Sequence, residues 1–492
     1  MSRNTPPKKH TGTMVVLILL ILAMIAATGY MIKLCIEIVD QEVSPSTHGG
    51  SSVLTPPTAP QPEETEEPTE TTMPEPEHVV STATITSTGD VLMHLPVVST
   101  GLQSDGSYNF DSIFQFVSEY VSAADYAVAN LETTLCGTDN GYAYSGYPNF
   151  NCPDAIVDSV KDAGFDMLLT ANNHSYDTSL VGYKRTINVV REAGLENLGT
   201  MLSDDEPKYT IQEINGINIG MLCYTYAYSV NESGCPSLNG MPHIAEYGLC
   251  NYFYSGNLPA FYSEVETYLS QMEESGAEAT IMYIHWGVEY NTFANDEQKA
   301  IAQKLCDLGI DVIIGGHPHV IQPVELLSST TDPDHKTVCL YSMGNAVSNQ
   351  RQGLISSIST AHTEDGMLFS VTFEKYSDGT VYLQDVDLLP CWVYKDTSFY
   401  PGEYNILPLD QETSGEWATK YGVTEAVVAS AQKSYERTMA IVGTGLTASQ
   451  EYLAQQKEDR EQYYYDLVYN PEKLVTEETV PETETLEATE AA

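Results

Sequence analysis

The stretch VIIGGHPHVIQ, residues 312–322, decides the predicted fold and the predicted site. A β-branched apolar run leads directly into two glycines and then into two histidines on either side of one proline. This pattern predicts a buried strand that ends in a tight turn. A structural histidine gains nothing from a second imidazole beside it, so His317 and His319 are predicted to bind a shared ligand. The alternative is a tight turn with incidental histidines.

The rest of the chain repeats the alternation of short apolar strands with longer helical patterns, which predicts a layered α/β domain. Strands are predicted at residues 83–87, 126–129, 167–170, 217–224, 279–284, 312–314 and 338–341. Helices are predicted at residues 112–122, 153–163, 183–193, 260–274 and 296–308. Residues 367–373 and 381–388 alternate with period two and predict an antiparallel hairpin. Residues 425–469 predict one or two further helices.

Polar residues of ligand type follow the predicted strands, in the segments GDVLMH (89–94), NLETTL (130–135), ANNHSYD (171–177), HWGVEY (285–290) and GNAVSN (344–349). Loops from successive strands of an α/β sheet converge at its carboxyl edge, so we expect these side chains to meet there. The candidate metal ligands are Asp90, Glu132, Asn173, His285, His317 and His319.

This set of oxygen and nitrogen donors favours one or two divalent ions of Mn, Fe or Zn. Two carboxylates brought close together repel each other unless a cation lies between them. A bridging carboxylate with flanking histidines is how proteins hold a pair of ions about 3.5 to 4 Å apart. His317 and His319 would then bind different ions, with Pro318 fixing the turn.

Each candidate ligand also has a structural reading. Asp90 follows a glycine and could belong to a turn, and Glu132 could be a solvated side chain. Asn173 and His174 could cap a helix, because asparagine is favoured at that position. His285 could be a core histidine beside its neighbouring tryptophan. The position of all these residues at strand ends favours the site.

Four more residues are candidates for substrate contact or for support of the ligands. They are Glu289, Tyr290, Gln322 and Asn345. His94 is expected to be a structural histidine or to lie at the rim of the site.

The two ends of the chain differ in composition from its body. Residues 14–32 are nineteen uncharged residues, long enough to cross a bilayer core of roughly 30 Å as a helix. Arg3, Lys8 and Lys9 precede them, which predicts a single-pass protein of the cell membrane with a cytoplasmic N-terminus and an extracytoplasmic body. A signal peptide cleaved near Ala26 and Ala27 is the alternative, but the apolar run continues past that point.

We expect six segments along the chain. They are a cytoplasmic N-terminus (1–13), a transmembrane anchor (14–32), a disordered Pro/Glu/Thr stalk (33–80), an α/β domain (81–400), a helical extension (401–470) and a disordered acidic tail (471–492).

The formal net charge of −47 excludes nucleic acid as a partner, because neutralisation of phosphates needs clustered Lys and Arg. The nine cysteines show no CxxC spacing, which argues against a structural zinc site. Disulfides between Cys136 and Cys152, or between Cys235 and Cys250, are open possibilities for an extracytoplasmic domain.

The motifs GDVLMH, NLE, ANNH, HWGVEY, GGHPHVIQPVE and YSMGNAV occur in this order over residues 82–347. Together they resemble the CapA family of poly-gamma-glutamate capsule proteins, which is similar in fold to the calcineurin-like metallophosphoesterases. The resemblance implies a four-layer α/β/β/α sandwich with metal ions at one sheet edge. It puts Asp90 and the other ligands, apart from Glu132, on metal-binding positions. It makes His174, with Asp90, a candidate catalytic residue that contacts a substrate oxygen or acts as general acid.

Two departures from the metallophosphoesterase pattern concern the ligands. Leu92 occupies the position of the histidine in the Asp-x-His motif, and the nearest imidazole, His94, comes two residues later. Glu132 takes the place of the bridging aspartate. We therefore expect one ligand to be missing and another to be longer.

The resemblance implies a membrane-anchored, extracytoplasmic protein that acts in synthesis, export or remodelling of a poly-gamma-glutamate-like surface polymer. Its partners would be the membrane, through the N-terminal helix, and the anionic polymer or its synthesis complex. A body this acidic repels a polyanion, so bound metal or local basic groups must mediate the contact. The alternatives are a two-metal phosphoesterase and a non-enzymatic scaffold of a polymer-export complex.

Overall fold

The computed structural model describes residues 75–139, 141–243 and 249–474. The predicted anchor at 14–32, most of the predicted stalk and most of the acidic tail lie outside these residues. The localisation predicted above, a single-pass protein of the cell membrane, is contradicted: no helix in the described ranges is long and apolar enough to cross a membrane. The longest described helix, Glu425–Tyr469, has sufficient length but carries charged residues throughout.

The described chain alternates strands and helices. The strands are β1 (Val79–Val91), β2 (Tyr126–Leu131), β3 (Met167–Leu169), β4 (Glu196–Leu198), β5 (Tyr209–Ile214), β6 (Ile217–Tyr226), β7 (Ser229–Val230), β8 (Pro236–Ser237), β9 (Tyr252–Phe253), β10 (Ala279–His285), β11 (Val312–Gly316), β12 (Val324–Ser328), β13 (Lys336–Leu340), β14 (Asn345–Val347), β15 (Asp365–Tyr376), β16 (Val381–Asp396) and β17 (Glu403–Pro408). The α-helices are α1 (Leu95–Thr100), α2 (Asp111–Phe114), α3 (Ser118–Val121), α4 (Ala155–Asp162), α5 (Ser179–Glu192), α6 (Leu258–Glu274), α7 (Asp296–Asp307), α8 (Trp417–Lys420) and α9 (Glu425–Tyr469). Short 3₁₀ helices lie at Ser255–Asn257, His362–Glu364, Gln411–Glu416 and Pro471–Leu474.

The first sheet has eight strands, in the order β17-β16-β15-β1-β2-β3-β4, with β14 also paired to β1. Strands β1 to β4 run parallel, and β15, β16 and β17 continue the sheet in antiparallel pairs. The second sheet has the order β12-β13-β11-β10-β6-β5, with β9 paired to β6. Its four central strands are parallel. The predicted α/β class is therefore confirmed.

Three clusters of buried apolar residues hold these elements together. One cluster contains residues of both sheets, for example Ile85 and Val128 with Met221 and Ile281. A second joins the first sheet to helices α1, α2 and α4, and a third joins the second sheet to α6 and α7. Every strand predicted from the sequence is present, because each is a run of apolar side chains that such clusters bury.

Three other segments were predicted from the sequence to be helical, and their outcomes differ. Residues 112–122 form two short helices, α2 and α3, and the turn between them brings Phe114 and Val117 into the same buried cluster. Residues 425–469 form one helix of 45 residues. It packs against β12 closely enough that a Cβ at Gly445 would lie 1.8 Å from the carbonyl oxygen of Val324. Segment 403–408, which was predicted to belong to a helical extension, forms the edge strand β17.

The possible disulfides are not formed in the described chain. Cys136, Cys152, Cys235 and Cys250 are all free. The thiols of Cys152 and Cys250 are instead buried in two different apolar clusters, where each behaves as a small hydrophobic side chain.

Candidate metal centre

The candidate ligands meet where the parallel strands of both sheets end. Asp90 is the penultimate residue of β1 and pairs in register with Asn130 at the end of β2. Glu132 follows β2 directly, and His285 is the last residue of β10 and pairs with Gly316 of β11. Parallel strands end at the same edge of a sheet, which is why residues far apart in sequence converge here.

All six predicted metal ligands are buried, with at most 4% of each residue exposed. Five of them, all except Asn173, form two groups, and within each group the ligand atoms lie within 4.8 Å of one another. The first group is Glu132, His285 and His317, and the second is Asp90, Glu132 and His319. The two groups share Glu132, which is the arrangement expected of a carboxylate between two cations.

The carboxylate of Glu132 lies among imidazole nitrogens. Its Oε1 is 3.4 Å from Nε2 of His285 and 3.9 Å from Nε2 of His319. Neither oxygen has a hydrogen-bond partner among the described residues, and the same holds for Nδ1 of His317. Buried polar atoms without a partner are rare in folded proteins and point to a missing ion or water. The residues therefore fit a divalent cation, and they could hold one or two.

Asp90 and Asn173 each contact a histidine of one group. Nδ1 of His319 lies 3.0 Å from Oδ2 of Asp90, and Nδ2 of Asn130 donates a hydrogen bond of 2.7 Å to Oδ1 of Asp90. The amide oxygen Oδ1 of Asn173 lies 2.7 Å from Nε2 of His285. This oxygen is thus next to the first group, where an amide donor can join the imidazoles.

Burial sets the charge of these side chains. Burial, with the nearby charge of Asp90, raises the pKa of Glu132 well above its usual range. Burial would also raise the pKa of Asp90, but its hydrogen bond and electrostatic interaction with His319 lower it overall. Burial lowers the pKa of His285 to about 3 and that of His317 well below its usual value. Neutral imidazoles keep a lone pair for a metal, so the site is ready to accept a cation.

The turn after β11 is held in an unusual backbone conformation. His317 and His319 have φ angles of 94° and 57°, in the left-handed region that non-glycine residues rarely adopt. A Cβ at Gly315 would lie 2.0 Å from the carbonyl oxygen of Tyr341, so only glycine allows the strand to approach its neighbour here. Such strain is found where the surrounding structure enforces it, often at functional sites.

His174 lies beside the metal-binding groups without belonging to either. Its Nε2 is 3.8 Å from Oε1 of Glu132, and its Nδ1 is 2.7 Å from Oδ2 of Asp177. The alternative reading of Asn173 and His174 as a helix cap does not apply, since helix α5 begins five residues after His174, at Ser179.

Three residues that the sequence reasoning missed support these side chains. Asn130 binds Asp90, and Asp177 binds His174; both lie inside motifs quoted above, at strand ends. Asn239 donates a hydrogen bond of 2.9 Å to Oδ1 of Asp177 from a separate loop, for which the sequence offers no signal.

The departures from the metallophosphoesterase pattern have a structural counterpart. Leu92 is buried, and its backbone N–H donates to the carbonyl of Val347. His94 is partly exposed, packs edge-on against Phe150 at 5.1 Å and accepts a hydrogen bond of 3.4 Å from the backbone N–H of Asn349. Burial lowers the pKa of His94 to about 4. It is neutral and lies outside both ligand groups.

The four candidates for substrate contact or ligand support differ in position. Glu289 is exposed. Tyr290 packs near His319, with ring centroids 6.3 Å apart. The side chain of Gln322 is fully buried and bonded to Gln298 and to the carbonyls of two loop residues.

Asn345, the fourth of these candidates, contacts the turn that carries His319. Its Nδ2 donates a hydrogen bond of 3.2 Å to the carbonyl of His319, and its buried Oδ1 has no hydrogen-bond partner within the described chain. Asn345 therefore braces the second ligand group from β14.

Comparison with known proteins gives a consistent picture. Residues 84–350 match the family described as "Bacterial capsule synthesis protein PGA_cap". The chain is 29% identical over 316 residues to "PGA biosynthesis protein CapA" of Bacillus subtilis (strain 168), covering 63% of this chain and 73% of that protein. It is 27% identical over 308 residues to "Capsule biosynthesis protein CapA" of Bacillus anthracis, covering 62% and 67%. The matched region contains every candidate ligand.

Proposed function

Since the chain belongs to the PGA_cap family of bacterial capsule synthesis proteins, we propose that it acts in synthesis, export or remodelling of a poly-gamma-glutamate-like polymer through a metal centre. The observation that carries the proposal is Glu132, a fully buried carboxylate shared by two ligand groups and lacking any hydrogen-bond partner in the described residues. The binding partners of the protein would be the anionic polymer or the complex that makes this polymer.

The proposed ligands are Glu132, His285, His317 and Asn173 for one ion, and Asp90, Glu132 and His319 for a second. A divalent ion held there supplies Lewis-acid polarisation of a carbonyl or phosphoryl oxygen. The protein itself keeps His285 and His317 neutral by burial and positions His174 through Asp177.

The four-layer α/β/β/α arrangement belongs to the same proposal. It is supported by the three apolar clusters, one containing residues of both sheets and the others joining each sheet to its own helices.

The proposal is tested with His317→Ala in the full chain. The wild type should take up Mn²⁺ or Zn²⁺ in calorimetry and elemental analysis, and the variant should lose at least the first ion. In a poly-gamma-glutamate-producing bacterium that lacks its own relative, the wild type should restore polymer output and the variant should not. His78→Ala is the control, because His78 is exposed and precedes β1, whose other end carries Asp90. Full restoration by His317→Ala would refute the metal-dependent role and favour the scaffold.

A second candidate, a two-metal phosphoesterase, is favoured by the position of His174. Its ring is held by Asp177 on one side and lies 3.8 Å from Glu132 on the other, as suits a group that delivers a proton to a leaving oxygen. Turnover of bis-p-nitrophenyl phosphate by the Mn²⁺- or Zn²⁺-loaded chain, lost in His174→Ala, would support it. A folded, metal-loaded chain without turnover would exclude it.

A further inference from the structure

Positive charge is scarce in this protein, so its placement is informative. The chain has 21 Lys and Arg against 68 Asp and Glu. Many of the described basic side chains are paired with a carboxylate, as Arg185 is with Asp154 and Lys457 with Glu374. Lys395 has no carboxylate within 4.0 Å among the residues that the structure describes. A basic side chain left unpaired in so acidic a protein is available for an anionic ligand.

A second cation, Arg351, reaches the same strand as Lys395, because it donates a hydrogen bond to the carbonyl of Val393, two residues before Lys395. Nζ of Lys395 donates a hydrogen bond of 3.2 Å to Oδ1 of Asn349 and lies 4.9 Å from the ring centroid of Tyr404. Burial, together with the charge of Arg351, lowers the pKa of Lys395. Two positively charged side chains repel each other when too few carboxylates lie near them. An anion bound between them removes this repulsion.

Arg351 is held in place but not fully satisfied. Its Nη2 donates hydrogen bonds of 2.9 Å to Oε2 of Glu364 and to the carbonyl of Val393. Its Nη1 is buried and has no hydrogen-bond partner in the described chain. Glu364 offsets one positive charge, so the pair of Arg351 and Lys395 keeps a net positive charge next to an unused donor.

This pair is connected to the metal centre by a series of contacts through intervening residues. Asn349, which binds Lys395, donates its backbone N–H to His94. The ring of His94 packs on Phe150, and Phe150 packs on His174 with ring centroids 4.7 Å apart. The pair is thus linked to the His174 side of the site through Asn349, His94 and Phe150.

A second series of contacts leads to the other ligand group. Gln350, the residue before Arg351, donates a hydrogen bond of 3.3 Å to the hydroxyl of Tyr290, whose ring lies near His319. Gln350 also accepts a hydrogen bond of 3.0 Å from Asn345. The segment that carries Arg351 is therefore fixed to the metal centre from two sides.

We propose that Lys395 and Arg351 form a second anion site, which binds a carboxylate of a polycarboxylate chain while a neighbouring part of that chain lies at the metal centre. The inference rests on the proposed function and specifies its substrate class. A chain with a carboxylate on every residue presents anions at regular intervals, so it can occupy both sites at once. A monomeric acid or inorganic phosphate can occupy only one of the two sites at a time, so it lacks the gain from bridging them.

The test uses the full chain and Lys395→Gln, which keeps a donor for Asn349 but removes the charge. Binding of a fluorescently labelled γ-linked glutamate oligomer is measured by anisotropy with Mn²⁺ present, and inorganic phosphate and free glutamate are tested as competitors. The variant should bind the oligomer about threefold to tenfold more weakly, the range for losing one typical hydrogen bond. Mn²⁺ uptake should not change, and the affinity for inorganic phosphate, which cannot span both sites, should fall less than the affinity for the oligomer. Added salt should weaken the wild type more than the variant.

The chain offers a matched control in Lys336→Gln. Lys336 also lies 4.9 Å from a tyrosine ring, that of Tyr452, and donates a hydrogen bond of 2.9 Å to Ser328, but it begins β13, whereas Lys395 lies near the end of β16. This variant should bind the oligomer like the wild type. A second site variant, Arg351→Gln, should weaken oligomer binding as well, and its melting temperature reports whether the loss of its bond to Glu364 unfolds the segment.

Oligomer binding by Lys395→Gln equal to the wild type, or an equal loss in Lys336→Gln, would overturn the inference. A larger effect on inorganic polyphosphate than on the glutamate oligomer would overturn the assignment to polycarboxylates. A wild type that binds no oligomer would also overturn it, while Mn²⁺ uptake, measured separately, would still report on the metal centre.

Discussion

Replacement of Glu132 by Gln is the sharpest perturbation that the structure suggests. The two side chains have the same shape, so the change removes a charge and leaves the packing. Glu132 is the ligand common to both groups, so both lose an anionic donor. In the metal-free protein the same carboxylate is fully buried, has no hydrogen-bond partner within the described residues and is repelled by Asp90. The substitution should therefore stabilise the metal-free protein and abolish stabilisation by metal.

The sizes of both effects follow from general constants. A ligand at 100 times its Kd stabilises a protein by about 2.7 kcal/mol. For a domain of roughly 400 residues, with an unfolding entropy of about 2 cal/mol/K per residue, this corresponds to a rise in Tm of about 3 °C. Removal of the buried charge that Asp90 repels contributes about 1.4 kcal/mol, or about 2 °C, to the metal-free variant for each unit by which the pKa of Glu132 is raised. Without metal, Glu132→Gln should melt above the wild type; with metal, the wild type gains and the variant does not.

The pH dependence has a defined sign. A carboxyl whose pKa is raised in the folded protein reduces stability as the pH rises through the unfolded value, because the native state then binds more protons. The advantage of metal-free Glu132→Gln should thus vanish near pH 4 and grow towards neutral pH. Thermal unfolding followed by circular dichroism, with chelator or with Mn²⁺, measures both effects. Glu289→Gln, at an exposed carboxylate, is the control. An undiminished metal-induced shift in Glu132→Gln would refute the shared-ligand reasoning.

Three further predictions concern helix α9. Gly445→Ala should lower the free energy of unfolding by about 1–3 kcal/mol, since its Cβ would meet the carbonyl of Val324. Gly443→Ala is the control and should be neutral or stabilising, because its Cβ would make only a contact of 3.7 Å. Urea unfolding of both variants measures the difference. Arg437→Met should cost about 3–5 kcal/mol by leaving buried Asp365 without its bidentate partner, measured in the same way against wild type. Burial, opposed by Arg437, raises the pKa of Asp365 to about 6. The contribution of Asp365 to the free energy of unfolding should therefore fall as the pH rises from about 4 to 6. A difference in unfolding free energy between the wild type and Asp365→Asn that stays constant over this range would contradict the prediction.

Much of the fold was predictable from local pattern. Residues 312–316 and 279–285 are strands because consecutive β-branched and apolar side chains can be buried on both faces of a parallel sheet. Strand β4, with three residues, and the edge strands β12 and β17 were not predicted. Their patterns are too short or too mixed, and they exist because a neighbouring strand offers hydrogen bonds.

Some features of the candidate site were likewise predictable from the sequence, and others were not. The residue types and their places after strands were enough to predict that Asp90, Glu132, Asn173 and the three histidines lie together, because strand ends in a parallel sheet share one edge. The pairing of His174 with Asp177 lay within a quoted motif but depends on the shape of the turn.

The sequence by itself determined the strands, the class of fold and the donor atoms available to a metal, since all three depend on residues close together in the chain. Only the tertiary structure decided which imidazoles lie with Glu132, that Asn239 supports Asp177 and that Arg351 binds the carbonyl of Val393, two residues before Lys395. These relations join residues tens to hundreds of positions apart, and they form only when strand pairing and the burial of apolar faces bring the two sheets together.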